Sequence, residues 1–409
     1  MKKILALVCV LATLALAAGG WIWYSRPAQP ADTADKPAVV TQPEDAPDEP
    51  EVPPDTTATL CVAGDLVMHM PIINEAWNGE KYDFTYLFAD AKPYYEQADY
   101  AVSCLETTFN GPPYSGYPQF CAPDELAADL KAVGFDMVST SGNHSLDTWY
   151  SGLVRTLDVL DAAGLDHAGT YRTQEERDTV KVIDIGGIKL AVLTYTYGTN
   201  GLPKGDHPYC VNTYTTDYMT NCAEVDYDLI LSDMERAKQT DADAIAVYMH
   251  WGNEYSTAPS DQQRELADFL FDNGATLVLG GHVHVPQPME LRELADGRTG
   301  YLCYCLGNLI SNQHDPYTNL TAAVTLTLTK SGESGEVTVS AAQYTPMYML
   351  HPDVSNEHRY RLLDIHKAMQ DFENGDTSVV NQTVYERLQQ GLADLHAIFG
   401  TDEVLSLAA

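Results

Sequence analysis

The sequence predicts an α/β fold, with a largely parallel sheet covered by helices on both faces. Three observations lead there. Short, continuous apolar runs recur from residue 58 onward, amphipathic stretches lie between them, and several runs end on a carboxylate, an amide or an imidazole. Runs that are apolar throughout belong to strands buried on both faces, and their alternation with helices indicates an α/β architecture.

The strand candidates are "ATLCVAG" (58–64), "YAVSCLE" (100–106), "DMVSTSG" (136–142), "TVKVIDI" (179–185), "KLAVLTYTY" (189–197), "AIAVYMH" (244–250), "ATLVLGG" (275–281) and "GYLCYCLGN" (300–308). "IGGI" between the fourth and fifth reads as a tight hairpin turn. Helices are expected over 124–134, 149–164, 226–239 and 260–274. In the second of these Leu153, Leu157 and Leu160 make one apolar face, and a glycine follows. Residues 319–349 hold two alternating runs around a Ser/Gly turn, an antiparallel hairpin that closes the domain. The tail from Asn356 onward is helical in character.

The flanks divide the chain into a segment 1–24, a linker 25–57, a main domain 58–350 and a C-terminal helical extension 351–409. "MKK" precedes an uncharged apolar run from Ile4 to Tyr24, which is either a cleaved signal peptide or a retained signal-anchor. Trp21 and Trp23 near its outer end favour the anchor, and Lys2 and Lys3 place the remainder outside the cytoplasm. A cell-membrane, single-pass protein with an extracytoplasmic domain is expected, or a secreted one if the signal is removed. The linker is rich in proline and acid and lacks aromatics, so it reads as extended and disordered.

With 23 basic and 58 acidic residues the formal net charge is −35. That balance excludes nucleic acid as the main partner, because phosphate backbones need clustered Lys and Arg. A polyanionic substrate would need a local positive charge such as a metal. Among the eight cysteines, Cys210–Cys222 and Cys104–Cys121 are candidate disulfides. Cys61, Cys303 and Cys305 read as core residues, and no CxxC suggests a thiolate zinc site.

The chemistry gathers at the expected C-terminal strand ends, where open α/β sheets place their ligands. The runs deliver Asp65, Glu106, Asn143 with His144, His250, His282 with His284, and Asn308. Carboxylates, imidazoles and an amide suit Mn, Fe or Zn, and a bridging carboxylate (Asp65 or Glu106) could join two ions about 4 Å apart. Taken singly, each motif has a plain reading: "GD" is a turn, "GNH" a loop, His250 a core histidine. Their ordered recurrence at strand ends favours a metal site. Gly64, Gly142, Gly280 and Gly281 are expected to let the backbone turn there, and His282 and His284 to share one side of an extended chain.

That order resembles the calcineurin-like metallophosphoesterase superfamily. More closely, "VAGDLVMHMPI", "CLETTFNG", "SGNHSLDTWYSGLVRTLDVLDAAGLDHAG", "HWGNEYSTAPSDQQRELADFLFDNGATLVLGGHVHVPQPMEL" and "CLGNLISNQ" are similar to the CapA family of capsule-synthesis proteins, over about 59–349. The resemblance implies a four-layer α/β/β/α sandwich, two divalent ions, and a role in poly-γ-glutamate biosynthesis or export. It implies Asp65 as the first metal-binding aspartate and Glu106 in the bridging position. Asn143, His250 and His282 would serve one ion and His284, with Asp65, the other. His144 would assist the leaving group, and Asp147 would orient His144 or cap the next helix. The superfamily's Asp-x-His is absent, because position 67 is Val67. His69 is either a replacement ligand or a substrate contact. Glu254, Arg264 and Asn308 are further substrate or supporting contacts, Arg264 alternatively a helix-surface charge.

Three functions fit. One is a metal-dependent hydrolase of phosphoesters or amides. Another is a non-catalytic binder of an anionic polymer, working with a membrane synthase. The third is an envelope phosphodiesterase or nucleotidase, with the Tyr-rich segment 194–210 as base-stacking pocket or lid.

Overall fold

A computed structural model describes residues 52–401. The apolar segment 1–24 and most of the linker lie outside the described residues. No helix among the described residues is long and apolar enough to cross a membrane.

The first part of the chain supplies β1 (Thr56–Val67), β2 (Tyr100–Glu106), β3 (Met137–Ser139), β4 (Asp166–Ala168), β5 (Lys181–Ile185) and β6 (Ile188–Thr196). The second part supplies β7 (Ala244–His250), β8 (Leu277–Gly281), β9 (Pro286–Glu293), β10 (Thr299–Leu306), β11 (Asn308–Ile310), β12 (Leu320–Lys330), β13 (Val337–Leu350) and β14 (Arg361–Asp364). They form two sheets. The eight-stranded sheet runs β14-β13-β12-β1-β2-β3-β4, with β11 also beside β1, and the six-stranded sheet runs β5-β6-β7-β8-β10-β9. In the first sheet β1 to β4 are parallel while β12, β13 and β14 join antiparallel; in the second, β6, β7, β8 and β10 are parallel between antiparallel edges β5 and β9.

Successive strand residues point to opposite faces, and both faces of these strands find apolar partners. Leu60 and Val62 of β1 share one core with Leu190 and Val192 of β6 and Leu277 of β8, so the two sheets meet there. Cys61 and Ala63, on the other face of β1, join helix residues. The helices of that cluster include α1 (Met70–Ala76), α2 (Lys92–Gln97), α3 (Glu125–Ala132) and α4 (Trp149–Ala163), and a short α5 (Gln174–Asp178) follows. Leu153, Leu157 and Leu160 of α4 are all buried, each worth about 2 kcal/mol of apolar burial, and Gly164 ends the helix in a left-handed turn. On the second sheet, Ala191 and Leu193 pack against Ile230 and Met234 of α6 (Tyr227–Lys238) and Leu266 and Leu270 of α7 (Asp261–Asp272). A Ser260–Gln263 capping box starts α7.

The tail departs from an all-helical reading. Arg361–Asp364 pairs with β13 as β14, before α8 (Ile365–Glu373) and α9 (Gln382–Phe399). Val384, Leu388, Leu395 and Phe399 of α9 enter the same core as the facing sheets. Strand β9 is absent from the sequence expectation because Pro286 and Pro288 weaken its pattern. It lies at a sheet edge, where proline is tolerated. Both expected disulfides are corrected: all described cysteines are free thiols. Cys104 faces His250, Cys121 donates to the Gly111 carbonyl and Cys222 to that of Tyr218.

Candidate metal centre

The C-terminal ends of β1, β2, β7 and β8 converge, so the first sheet brings Asp65 and Glu106 to the imidazoles of the second. Close approach of the backbone makes this possible. A Cβ on Gly64 would lie 2.1 Å from the Gly307 carbonyl oxygen, and one on Gly281 would lie 2.5 Å from Asp65 Oδ1. These glycines provide space and do not turn the chain. The turn falls on the histidines themselves: His282 (φ 94°) and His284 (φ 65°) are both left-handed. The expectation of an extended chain through them is therefore wrong. Such a backbone costs a non-glycine residue about 1–3 kcal/mol, a strain that concentrates at functional sites.

Glu106 is the centre of the cluster. Its Oε1 lies 3.8 Å from His144 Nε2 and 3.9 Å from His250 Nε2, and its Oε2 lies 4.0 Å from His284 Nδ1. The side chain is wholly buried, yet neither carboxylate oxygen has a hydrogen-bond partner. His282 Nδ1 is likewise buried and unpartnered. Asp65 Oδ2 accepts the His282 backbone N–H at 2.7 Å, which ties the two sheets together. Burial pushes the Asp65 carboxyl up to about 7, against the pull of that N–H. Burial, and then the charge of Asp65, hold Glu106 well above the usual carboxylate range. Burial and neighbouring imidazoles push His250 and His282 well down, and burial takes His284 to about 4.

Buried charges without partners are costly, and a cation would satisfy this set. Glu106 with His250 and His282, and Asp65 with Glu106 and His284, form two groups whose donor atoms lie within 4.8 Å of one another. Glu106 belongs to both, the position a bridging carboxylate would take. A third group is Asp65, Cys104 and His250. Oxygen and imidazole donors fit a divalent cation.

The surrounding residues orient the cluster. Asn143 Oδ1 accepts from His250 Nε2 at 2.8 Å, and Asn308 Oδ1 from His284 Nδ1 at 2.9 Å. His144 Nδ1 donates to Asp147 Oδ2 at 2.7 Å, and that oxygen also accepts the Phe120 N–H at 2.6 Å. Asp147 thus orients His144, and Thr148, not Asp147, is the N-cap of α4. His69 belongs to none of the described ligand groups. Its Nδ1 lies 3.1 Å from the Val67 carbonyl oxygen and 3.2 Å from the Asn312 nitrogen, donating to the first or accepting from the second according to the tautomer. Glu254 is exposed on the cleft that Glu106 and His144 also line. Arg264 lies outside that cleft, bonded to the Pro259 carbonyl and set over Tyr304.

Sequence reasoning missed Asn200, whose amide contacts both Asn143 and His144. It lies in the Tyr-rich segment, where no periodicity marks single residues. It also missed Cys104, although its place two residues before Glu106 on β2 puts both on one face. The tyrosines of that segment are spent on packing: Tyr195 is in the helix-side core and Tyr197 lies 4.6 Å from the His282 ring.

These features define a class: two-sheet α/β proteins with a buried carboxylate–imidazole cluster at their C-terminal strand ends. Residues 59–313 match the family described as bacterial capsule synthesis protein PGA_cap, and the chain belongs to that family. It is 25% identical over 264 residues to the capsule biosynthesis protein CapA of Bacillus anthracis, covering 62% of this chain and 60% of that one. It is 28% identical over 206 residues to the PGA biosynthesis protein CapA of Bacillus subtilis, covering 50% of each. A probable polyglutamine synthesis accessory protein of Mycobacterium tuberculosis is 26% identical over 177 residues, covering 41% of this chain and 44% of that one. The chain thus spans between about two fifths and three fifths of the length of these relatives. A solved structure described as a novel phosphatase from Mycoplasma pneumoniae is similar over 71% of this chain and 94% of that one, with a TM-score of 0.43 and 14% identity.

Proposed function

We propose that this protein is an extracytoplasmic, metal-dependent hydrolase acting in the biosynthesis or export of poly-γ-glutamate capsule. The observation that carries the reading is Glu106, wholly buried with both oxygens unpartnered among the imidazoles of His144, His250 and His284. The relatives named for capsule and PGA biosynthesis support the polymer. The three apolar cores, one between the sheets and one outside each, support the four-layer α/β/β/α order. The apolar run 4–24 would anchor the chain, the linker would hold the domain away from the membrane, and a membrane synthase would be its partner.

Two divalent ions, Mn, Fe or Zn, would supply Lewis-acid charge and a water of lowered pKa. Asn143, His250 and His282 would hold one ion, His284 and Asp65 the other, with Glu106 between them. His144 does the acid work. Asp147 holds its Nδ1–H, and in the imidazolium form the second proton, on Nε2, would pass to a leaving oxygen or nitrogen in the cleft, leaving the neutral ring still bonded to Asp147. The Asn200 amide lies against the same imidazole, its Nδ2 3.4 Å from Nδ1 and 3.5 Å from Nε2. The cleft, about 480 Å³, is lined by Phe120, Tyr117 and Tyr255 as well as these polar groups.

The test is metal analysis of the purified protein. A screen over γ-glutamyl oligomers and phosphodiesters follows, repeated after chelation. Bound metal and chelator-sensitive cleavage of a γ-glutamyl oligomer are expected. Cleavage of phosphodiesters alone would replace the capsule reading with a phosphodiesterase. Retention of the polymer without turnover would make the domain a binding partner of the synthase. Turnover that persists in metal-free His282→Ala protein would sink the metal mechanism.

A further inference from the structure

The charge of the cleft says which part of an acidic polymer it can accept. In a chain of net charge −35 the cations are few, and none reaches this site: no Lys or Arg lines the cleft. Its charged lining residues are Glu106, Asp147 and Glu254, with the imidazoles of His69, His144 and His284. Asp147 is committed to His144 and Phe120, and Glu106 to the metal cluster. Glu254 is different. Among the described residues it makes no hydrogen bond and no ion pair. It stands in the loop after β7, next in sequence to Tyr255, which is 44% exposed, and lines the same cleft as Tyr117, which is 79% exposed.

A free carboxylate in a cleft that also carries two exposed aromatic rings and no Lys or Arg is a poor host for another carboxylate and a good one for an ammonium group. The carboxylate offers a charge-assisted hydrogen bond, and the ring faces attract a cation. The metals that Glu106 and its imidazoles would hold can neutralise one anionic group at the reacting centre. Glu254 belongs to none of the described ligand groups, although its charge reaches Glu106 and His144.

We infer that Glu254, with Tyr255 and Tyr117, is a recognition subsite for a free ammonium group, so that the site takes an acidic γ-linked chain by its amino terminus. This rests on the proposed poly-γ-glutamate reading and sharpens it. The amino terminus is the one cationic point on such a polymer. Binding there would make the action exo, one end at a time, and would turn the mid-chain carboxylates away from the cleft by repulsion. Glu254 is a specificity residue here and supports neither the metals nor His144.

The experiment is titration calorimetry of the full-length, Mn-loaded chain with a short γ-glutamate oligomer, its amino terminus either free or acetylated. Metal content is measured alongside. Acetylation should weaken binding about tenfold, the worth of one charge-assisted hydrogen bond. Glu254→Gln should bind both oligomers equally, at the weaker level, while keeping its full metal content. Equal binding of the free and acetylated oligomers by the unmodified protein would overturn the inference and leave the capsule reading standing. Failure of both to bind a metal-loaded protein would overturn the inference and the capsule reading together. Loss of metal in Glu254→Gln would reassign the residue as a ligand, which also overturns the inference.

Discussion

Replacing Glu106 by Gln separates what the buried carboxylate costs from what it binds. Glu106 has no hydrogen-bond partner, so the isosteric amide breaks none. It also removes a carboxyl whose charged form burial disfavours. The metal-free variant should therefore be at least as stable as the metal-free parent. Metal reverses the comparison. An ion at one hundred times its dissociation constant stabilises a fold by about 2.7 kcal/mol. Unfolding entropy of about 2 cal/mol/K per residue over roughly 350 residues gives about 0.7 kcal/mol/K. One bound ion should then raise the melting temperature by about 4 °C, and Glu106→Gln should abolish most of that rise because the carboxylate serves both ligand groups. Differential scanning calorimetry of both proteins, with and without Mn or Zn, reads the effect. An undiminished metal-dependent rise in the variant would refute the bridging role. A fall of several degrees in its metal-free melting temperature would refute the unpartnered carboxylate.

Other consequences follow from the same geometry. Asp147→Asn should leave metal content unchanged and lower turnover at least tenfold, because His144 loses the carboxylate that orients it. Gly64→Ala forces a Cβ against the Gly307 carbonyl, and should cost about 1–3 kcal/mol in urea unfolding as well as metal affinity. Metal uptake should release protons. Burial pushes the Asp65 carboxyl up to about 7 and Glu106 well above the usual carboxylate range, so an ion that binds their charged forms must displace protons. Affinity should thus weaken as pH falls from about 8 to 6. Calorimetry in buffers of different ionisation enthalpy checks this, and a pH-independent uptake would contradict it.

The strands that carry the site were legible because burial on both faces leaves a continuous apolar run. β2 and β7 occupy the very residues the runs mark, and their last residues are Glu106 and His250. Elements held by pairing alone were not legible. Three-residue β4 follows a helix with no apolar run of its own, β9 carries two prolines, and β14 takes its register from β13. At the site, residue types could be read but not backbone conformation. Nothing in "GGHVH" announces that the left-handed residues are the histidines and that the glycines serve close packing. Asn200 escaped because its role depends on where a loop crosses the cleft, which only the folded chain decides.

The pairing of β1 with β12 joins Thr56 to Lys330, 274 positions further along the chain (330 − 56). As the chain emerges from the ribosome, β1 therefore waits with one edge unpaired until β11 and β12 have been made. Its neighbour β2 can dock early, but the other edge stays open, and open apolar edges invite wrong partners. Pairings so distant along the chain are also slow to form. Assembly of the first sheet thus comes late in synthesis, after β12. A chain interrupted anywhere before residue 320 should leave a sticky strand in place of a partial enzyme.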